Sequence, residues 1–167
     1  VDIQEGCIVL KAGGPATGVR WEGEFPKMNY EVKLEGKRVE GSDFFCGFSF
    51  PVGDGALTLI LGGWGGWVTG VSCIDGYLAA DNETCDVVEF ENGRWYRIRV
   101  RVTKGKVEAW VDKEQIVELD TEDRKLTVTS EMEPCLPLGF ATWYTTGALR
   151  KIAYRKLSTK ELSEGKK

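Results

Sequence analysis

The chain has 167 residues, 42% hydrophobic and 29% charged, with a net charge of −4, the length and composition of one globular domain that can bury a continuous core. There is no histidine, which excludes Ser-His-Asp and Cys-His nucleophilic catalysis and every histidine-ligated metal site. The 22 basic and 26 acidic residues are interspersed, with only Lys166 and Lys167 marking a basic end, so nucleic acid is set aside as a partner; no apolar run approaches the ~18 residues that make a transmembrane helix.

The first residue is Val1 rather than Met, which reads as a processed or partial chain. Short strands are expected over residues 7–10 and 18–25. Over 28–35, Met28, Tyr30, Val32 and Leu34 alternate with Asn29, Glu31, Lys33 and Glu35, the pattern of a half-buried strand; Gly36 then breaks the phase at a bulge or bend. Residues 43–50 and 56–61 are apolar on both faces, which places them mid-sheet or along a groove, with 51–55 as the turn between them.

Strand 67–73 follows. Over 94–102, Tyr96, Ile98, Val100 and Val102 point one way and Trp95, Arg97, Arg99 and Arg101 the other. A turn at 103–106 returns the chain through Val107, Ala109 and Val111, and a second turn at Asp112–Lys113 leads into 115–119: an antiparallel meander. Strands 137–144 and 148–157 complete the set. Residues 158–162 form the one short polar helical stretch, in a tail expected to fray.

About a dozen short strands joined by glycine-rich turns define an all-β, two-sheet antiparallel sandwich. One domain spans 1–157, with a polar C-terminal tail at 158–167. Its predicted inward face is Tyr30, Val32, Leu34, Phe44, Phe48, Ile98, Val100, Val107 and Val111.

Two blocks carry a family resemblance: residues 41–54 with 59–67 (…LILGGWGGW), and 92–102 with 106–112 (NGRWYRIRV…KVEAWVD), supported by the strand 148–157. Over residues 20–157 the chain resembles the concanavalin A-like domains grouped as 3-keto-disaccharide hydrolase-like, found in planctomycetes and related bacteria. The resemblance implies a lectin/glucanase-type jelly roll, and the family label implies hydrolysis of keto-sugars or glycosides.

Four candidate sites follow from the residues. In residues 61–67 four glycines surround Trp64 and Trp67; the indole faces suit the C–H faces of sugar rings, against the plainer reading of tryptophans plugging the end of the core. Trp95 and Trp110 fall on the polar face of the meander, as a binding strip if that face is open or as packing under stacked arginines if it is covered. The acidic stretch 75–91 offers Asp81, Glu83 and Asp86 as oxygen ligands for calcium, although a run of carboxylates is usually a solvated face. Asp54, Asp75, Glu89 and Glu91 are weak candidates for the carboxylate pair of a glycosidase, and the E-x-D-x-E strand motif of jelly-roll glucanases is missing.

Among the five cysteines, Cys46 and Cys73 read as small buried hydrophobes, and Cys73 and Cys85 flank a loop they would bridge in an exported protein. Asn82-Glu-Thr84 is a glycosylation sequon that marks an exposed turn. The leading expectation is a non-catalytic carbohydrate-associated binding module anchored by Trp64 and Trp67, without an obligatory cofactor, its partner a glycan or another protein surface. The alternatives are a glycoside or 3-keto-sugar hydrolase and a structural assembly protein. An exported or periplasmic location is slightly favoured.

Overall fold

Side chains that alternate every second residue can bury one face of a strand only against a second layer, and this chain supplies two such layers. The computed structural model describes residues 1–164 and contains thirteen strands in two antiparallel sheets. One sheet has the order β1 (Asp2–Gln4), β2 (Cys7–Leu10), β13 (Thr146–Lys156), β4 (Tyr30–Glu40), β9 (Trp95–Thr103), β10 (Lys106–Val111) and β11 (Glu114–Asp120). The other has β3 (Ala16–Arg20), β12 (Gly139–Trp143), β5 (Cys46–Val52), β6 (Gly55–Gly63), β7 (Val68–Ser72) and β8 (Asp86–Val87). This is the expected all-β sandwich. No helix among the described residues is long and apolar enough to cross a membrane.

The core lies between the sheets. Tyr30, Val32 and Leu34 of β4, Ile98 and Val100 of β9 and Val107 of β10 face Phe48 and Phe50 of β5 and Leu57, Leu59 and Leu61 of β6, all buried. Each such side chain contributes about 1.5–3 kcal/mol through removal from water. The β9–β10–β11 meander has the expected register, with Val100 opposite Ala109 and Ala109 opposite Val117.

Several expectations are corrected. Gly36 does not interrupt its strand: β4 continues to Glu40, and Gly36 pairs with Tyr96 on one side and Leu149 on the other. It faces the core, where an added Cβ would lie 3.1 Å from Ile98 Cδ1; packing space, not a bend, selects glycine. The third strand starts at Ala16 and ends at Arg20, leaving Trp21 exposed in a loop. Pro51 belongs to β5, paired with Ala56, and its carbonyl accepts the buried Tyr30 hydroxyl; the turn proper is Gly53–Asp54.

Phe44 is buried, but not between the sheets. It belongs to a second apolar cluster with Ile60, Met132, Cys135 and Ala141, on the far side of the six-stranded sheet. The Asn82 sequon is used internally: its amide donates to the carbonyls of Val71 (2.8 Å) and Tyr77 (3.2 Å), and its Oδ1 accepts from the Thr84 hydroxyl. All five cysteines are free thiols. Burial pushes the Cys46 thiol up to about 12.

The tail forms α1 (Thr159–Glu164), while Gly165, Lys166 and Lys167 lie outside the described residues. Glu161 docks this helix through two 2.7 Å hydrogen bonds from Arg155. Arg155 also reaches Glu31 at 3.0 Å, and Arg99 and Arg101 each approach Glu31 at 3.1 Å. Glu31 is only 1% exposed. Burial alone would raise its pKa, but the hydrogen bonds from Arg99 and Arg101 and the charges of Arg101 and Arg155 outweigh it and hold the carboxyl below its ordinary 4.5.

A carboxyl with a depressed folded-state pKa contributes stability that is complete above its unfolded value and is lost as pH falls through the folded one. The thermal midpoint is therefore expected to fall on acidification below pH 4.5, with Glu35 and Glu161 adding in the same direction. Glu31→Gln is expected to cost ~1–3 kcal/mol at neutral pH and to flatten this acid limb. Thermal melts of both proteins across the acid range check it; an unchanged acid limb would contradict the assignment.

Candidate functional site

Apart from Ile60, the central rows on the outer face of the six-stranded sheet carry small residues. In register across β12, β5, β6 and β7 lie Ala141, Gly47, Ile60 and Gly70, and beside them Gly139, Ser49, Thr58 and Ser72. Small side chains let covering loops approach the sheet backbone. A Cβ on Gly70 would sit 2.9 Å from the Thr84 carbonyl, and one on Gly139 2.6 Å from that of Cys135. Two segments use this space, residues 73–86 and 124–138. They are tied together by the Cys73 N–H to Thr127 carbonyl bond (2.6 Å) and the Asp75 N–H to Lys125 carbonyl bond (2.8 Å).

Between the sheet face and these loops lies a cavity of about 260 Å³, close to the ~300 Å³ lower end for small-molecule sites. Thr58, Ile60 and Ser72 form its floor; Leu78, Thr129, Glu131 and Met132 come from the loops; Asp43, Phe44, Trp64 and Trp143 close the sides. The Ser49 and Thr58 hydroxyls are 2.8 Å apart, and the Ser72 hydroxyl accepts the Ala79 N–H at 2.7 Å, so the floor is polar yet internally matched. Phe44 and Trp143 stack with centroids 6.1 Å apart.

Trp64 reaches the cavity through a strained turn. Its φ is +50°, in the left-handed region that non-glycine residues seldom occupy. Gly66, at φ +106°, passes so close to Ser42 that a Cβ would meet its carbonyl at 2.8 Å, so glycine is required there by both conformation and space. The Asp43 carboxylate holds the turn: one oxygen accepts the Gly65 N–H (3.3 Å) and the other the Phe44 N–H (2.8 Å). Behind it the buried Arg38 donates to the carbonyls of Asp43 (3.3 Å) and Phe90 (2.7 Å) and to Asn92 Oδ1. Glu131 is exposed at the rim; its own N–H and then the Thr129 side chain hold its carboxyl below the usual value.

The sequence candidates divide sharply. Trp64 lines the cavity; Trp67, 54% exposed, does not. Trp95 and Trp110 lie on the outer face of the seven-stranded sheet, where Arg150 and Lys37 pack on Trp95 at 3.9 and 4.7 Å and Arg99 on Trp110 at 3.9 Å. Cations thus pack against both rings.

None of the four carboxylates proposed for catalysis lines the cavity. Asp54 is fully exposed near Lys27, and Asp75 is held by Arg124 at 2.6 Å. Glu89 lies in a cleft with Arg94, Arg97 and Lys113, and the exposed Glu91 donates its N–H to the Tyr96 hydroxyl. Of the calcium candidates, Glu83 pairs with Arg124 and Asp86 accepts the Val87 N–H. Asp81 joins neither, and no metal-competent group of three or more His, Cys, Asp or Glu side chains occurs among the described residues.

The residues that sequence reasoning passed over are Asp43, Glu131, Thr129, Met132 and Trp143. Trp143 was within reach, because alternation from the core-facing Phe140 puts it on the opposite face. The loop residues carried no periodic signal.

A larger apolar cleft of about 440 Å³ opens between the sheets beside Trp21, Phe25, Ile152 and Tyr154. Arg20 is its one charged side chain, so it lacks the convergent polar groups that orient a ligand.

The fold is a jelly roll of the concanavalin A-like kind, with a loop-bordered cavity on one sheet. The chain belongs to the family of 3-keto-alpha-glucoside-1,2-lyase-like domains, whose profile matches residues 5–160. Solved structures share the fold. A transglycosylase in complex with NAG matches at TM-score 0.59 and 11% identity, covering 92% of this chain and 73% of that one. A carbohydrate-binding module from Bacillus subtilis matches at 0.54 and 7%, covering 90% and 96%. A protein from Parabacteroides distasonis with a provisional glycosyl hydrolase label matches at 0.54 and 16%, covering 94% and 83%. No curated protein matches the chain in sequence.

Proposed function

We propose that the protein is a non-catalytic carbohydrate-binding module whose site is the cavity beside Trp64. The carrying observation is that Trp64, Trp143 and Phe44 line one small cavity together with Thr58, Ser72 and Thr129. Aromatic faces take the C–H faces of a sugar and hydroxyls fix its orientation. The structural neighbours that act on or bind sugars support the reading.

Hydrolysis by a carboxylate pair is the second reading, favoured by Asp43 and Glu131 bordering the same cavity. Against it, a glycosidase needs a general acid whose pKa is raised, and Glu131 is shifted the other way. Asp43 spends both oxygens on backbone amides.

The test is a glycan array probed with the wild-type domain and single variants. Trp64→Ala is expected to lose at least ~10-fold in affinity, as an aromatic anchor in a pocket does, and Trp67→Ala to bind as wild type. Undiminished binding by Trp64→Ala would remove the cavity as the site.

A further inference from the structure

Several carboxylates of this protein are paired with arginines: Glu31 with Arg99, Arg101 and Arg155, Glu35 with Arg150, Asp75 and Glu83 with Arg124. The two at the cavity are not. Neither Asp43 nor Glu131 has a cation within salt-bridge distance among the described residues, and no lysine or arginine lines the cavity. The nearest guanidinium, Arg38, donates to the main-chain carbonyl of Asp43 from behind and leaves the carboxylate to the turn amides. The cavity thus presents two carboxylates without a salt-bridge partner beside the faces of Trp64, Trp143 and Phe44, with Arg38 acting on Asp43 only from behind. Carboxylates attract a cation directly, and the negative faces of aromatic rings attract it further.

Resting on the carbohydrate-binding reading, we infer that the site selects sugars bearing a protonated amine over their N-acetylated counterparts and over uronates. A ring stacked on Trp64 or Trp143 brings its substituents to Asp43 and Glu131. An ammonium there gains charge-assisted hydrogen bonds; an acetamide gains none of the charge attraction; a carboxylate is repelled.

The experiment is calorimetric titration at about pH 6, where side-chain carboxyls are ordinarily ionised. The probes are three tetrasaccharides: glucosamine, N-acetylglucosamine and galacturonate. The expected result is binding of the glucosamine tetramer ~10-fold or more above the N-acetylated one, weakening as salt rises from ~10 to ~150 mM, with the galacturonate tetramer weakest. Glu131→Gln, an exposed substitution, should lower the ratio of glucosamine to N-acetylglucosamine affinity. Equal binding of the amine and acetamide probes, or tighter binding of the uronate, would overturn the charge selection and leave the carbohydrate reading standing. Failure of these probes together with a silent glycan array would overturn both.

Discussion

Replacing Trp64 and Trp143 together with alanine is expected to weaken glycan binding by ~10²- to 10³-fold, measured by calorimetry. An aromatic anchor in a closed pocket is worth about 2 kcal/mol or more, and each 1.4 kcal/mol is about tenfold. Because both rings border one cavity, their losses couple and do not simply add. The fold should survive the change. Trp64 is 46% exposed, and Trp143 is half-buried at the edge of the second cluster, against Phe44 and the exposed Tyr144, so the thermal midpoint should fall by only a few degrees. The control is a Trp95→Ala, Trp110→Ala pair on the other sheet, where Arg150 and Arg99 already cover the rings; its affinity should match wild type. A loss there equal to that at the cavity would place the ligand on the wrong sheet.

Phe48→Ala is expected to cost ~3–5 kcal/mol of stability, the range for truncating a buried aromatic. Phe48 is fully buried, stacks on Phe140 at 4.7 Å and touches Phe50 at 5.1 Å. It joins β12 to β5 at the centre of the six-stranded sheet, where neighbouring rings leave little room to collapse. Urea denaturation should show a lower midpoint with an unchanged slope. Against a typical total of about 5–15 kcal/mol, the variant is at the edge of folding. Phe44→Ala makes the informative contrast. It lies in the small cluster outside the sheet, so it should cost less, ~2–3 kcal/mol, and impair binding as well.

The two aromatics also show what could be read from the sequence. Period-two alternation reports that a side chain is buried, not which of two faces buries it. Phe44 and Phe48 have the same apolar surroundings in the sequence, but Phe44 precedes β5, in an irregular segment where Phe45 takes the core position and Phe44 turns to the other face. The meander from Trp95 to Asp120 was legible because alternation and turn residues agree along it. Gly36 is misread in the sequence because a glycine favoured by packing looks, in one dimension, like a glycine that bends the chain. Trp64 could be found from its glycine-rich setting. Glu131, Thr129 and Met132 could not, because the loop that carries them is positioned by Cys73–Thr127 and Asp75–Lys125 pairings more than forty residues apart. The acidic stretch after Ile74 looked like solvated charge or a calcium loop, and Asp75 and Glu83 instead clamp Arg124 of the neighbouring covering segment.

That clamp matters to the site, because Arg124 is the first residue of the second covering segment. The fold contributes a flat sheet with small residues, and the loops convert it into a bounded space. Binding residues lie disproportionately on loops held by a rigid scaffold.

The most direct measurement is a titration of isotope-labelled protein with a chito-oligosaccharide, followed through the six tryptophan indole N–H signals. If sugar enters the covered cavity, the Trp64 and Trp143 signals move together and saturate at one concentration, while those of Trp95 and Trp110 stay fixed. Movement confined to Trp95 and Trp110 would contradict the account and put recognition on the arginine-lined sheet instead.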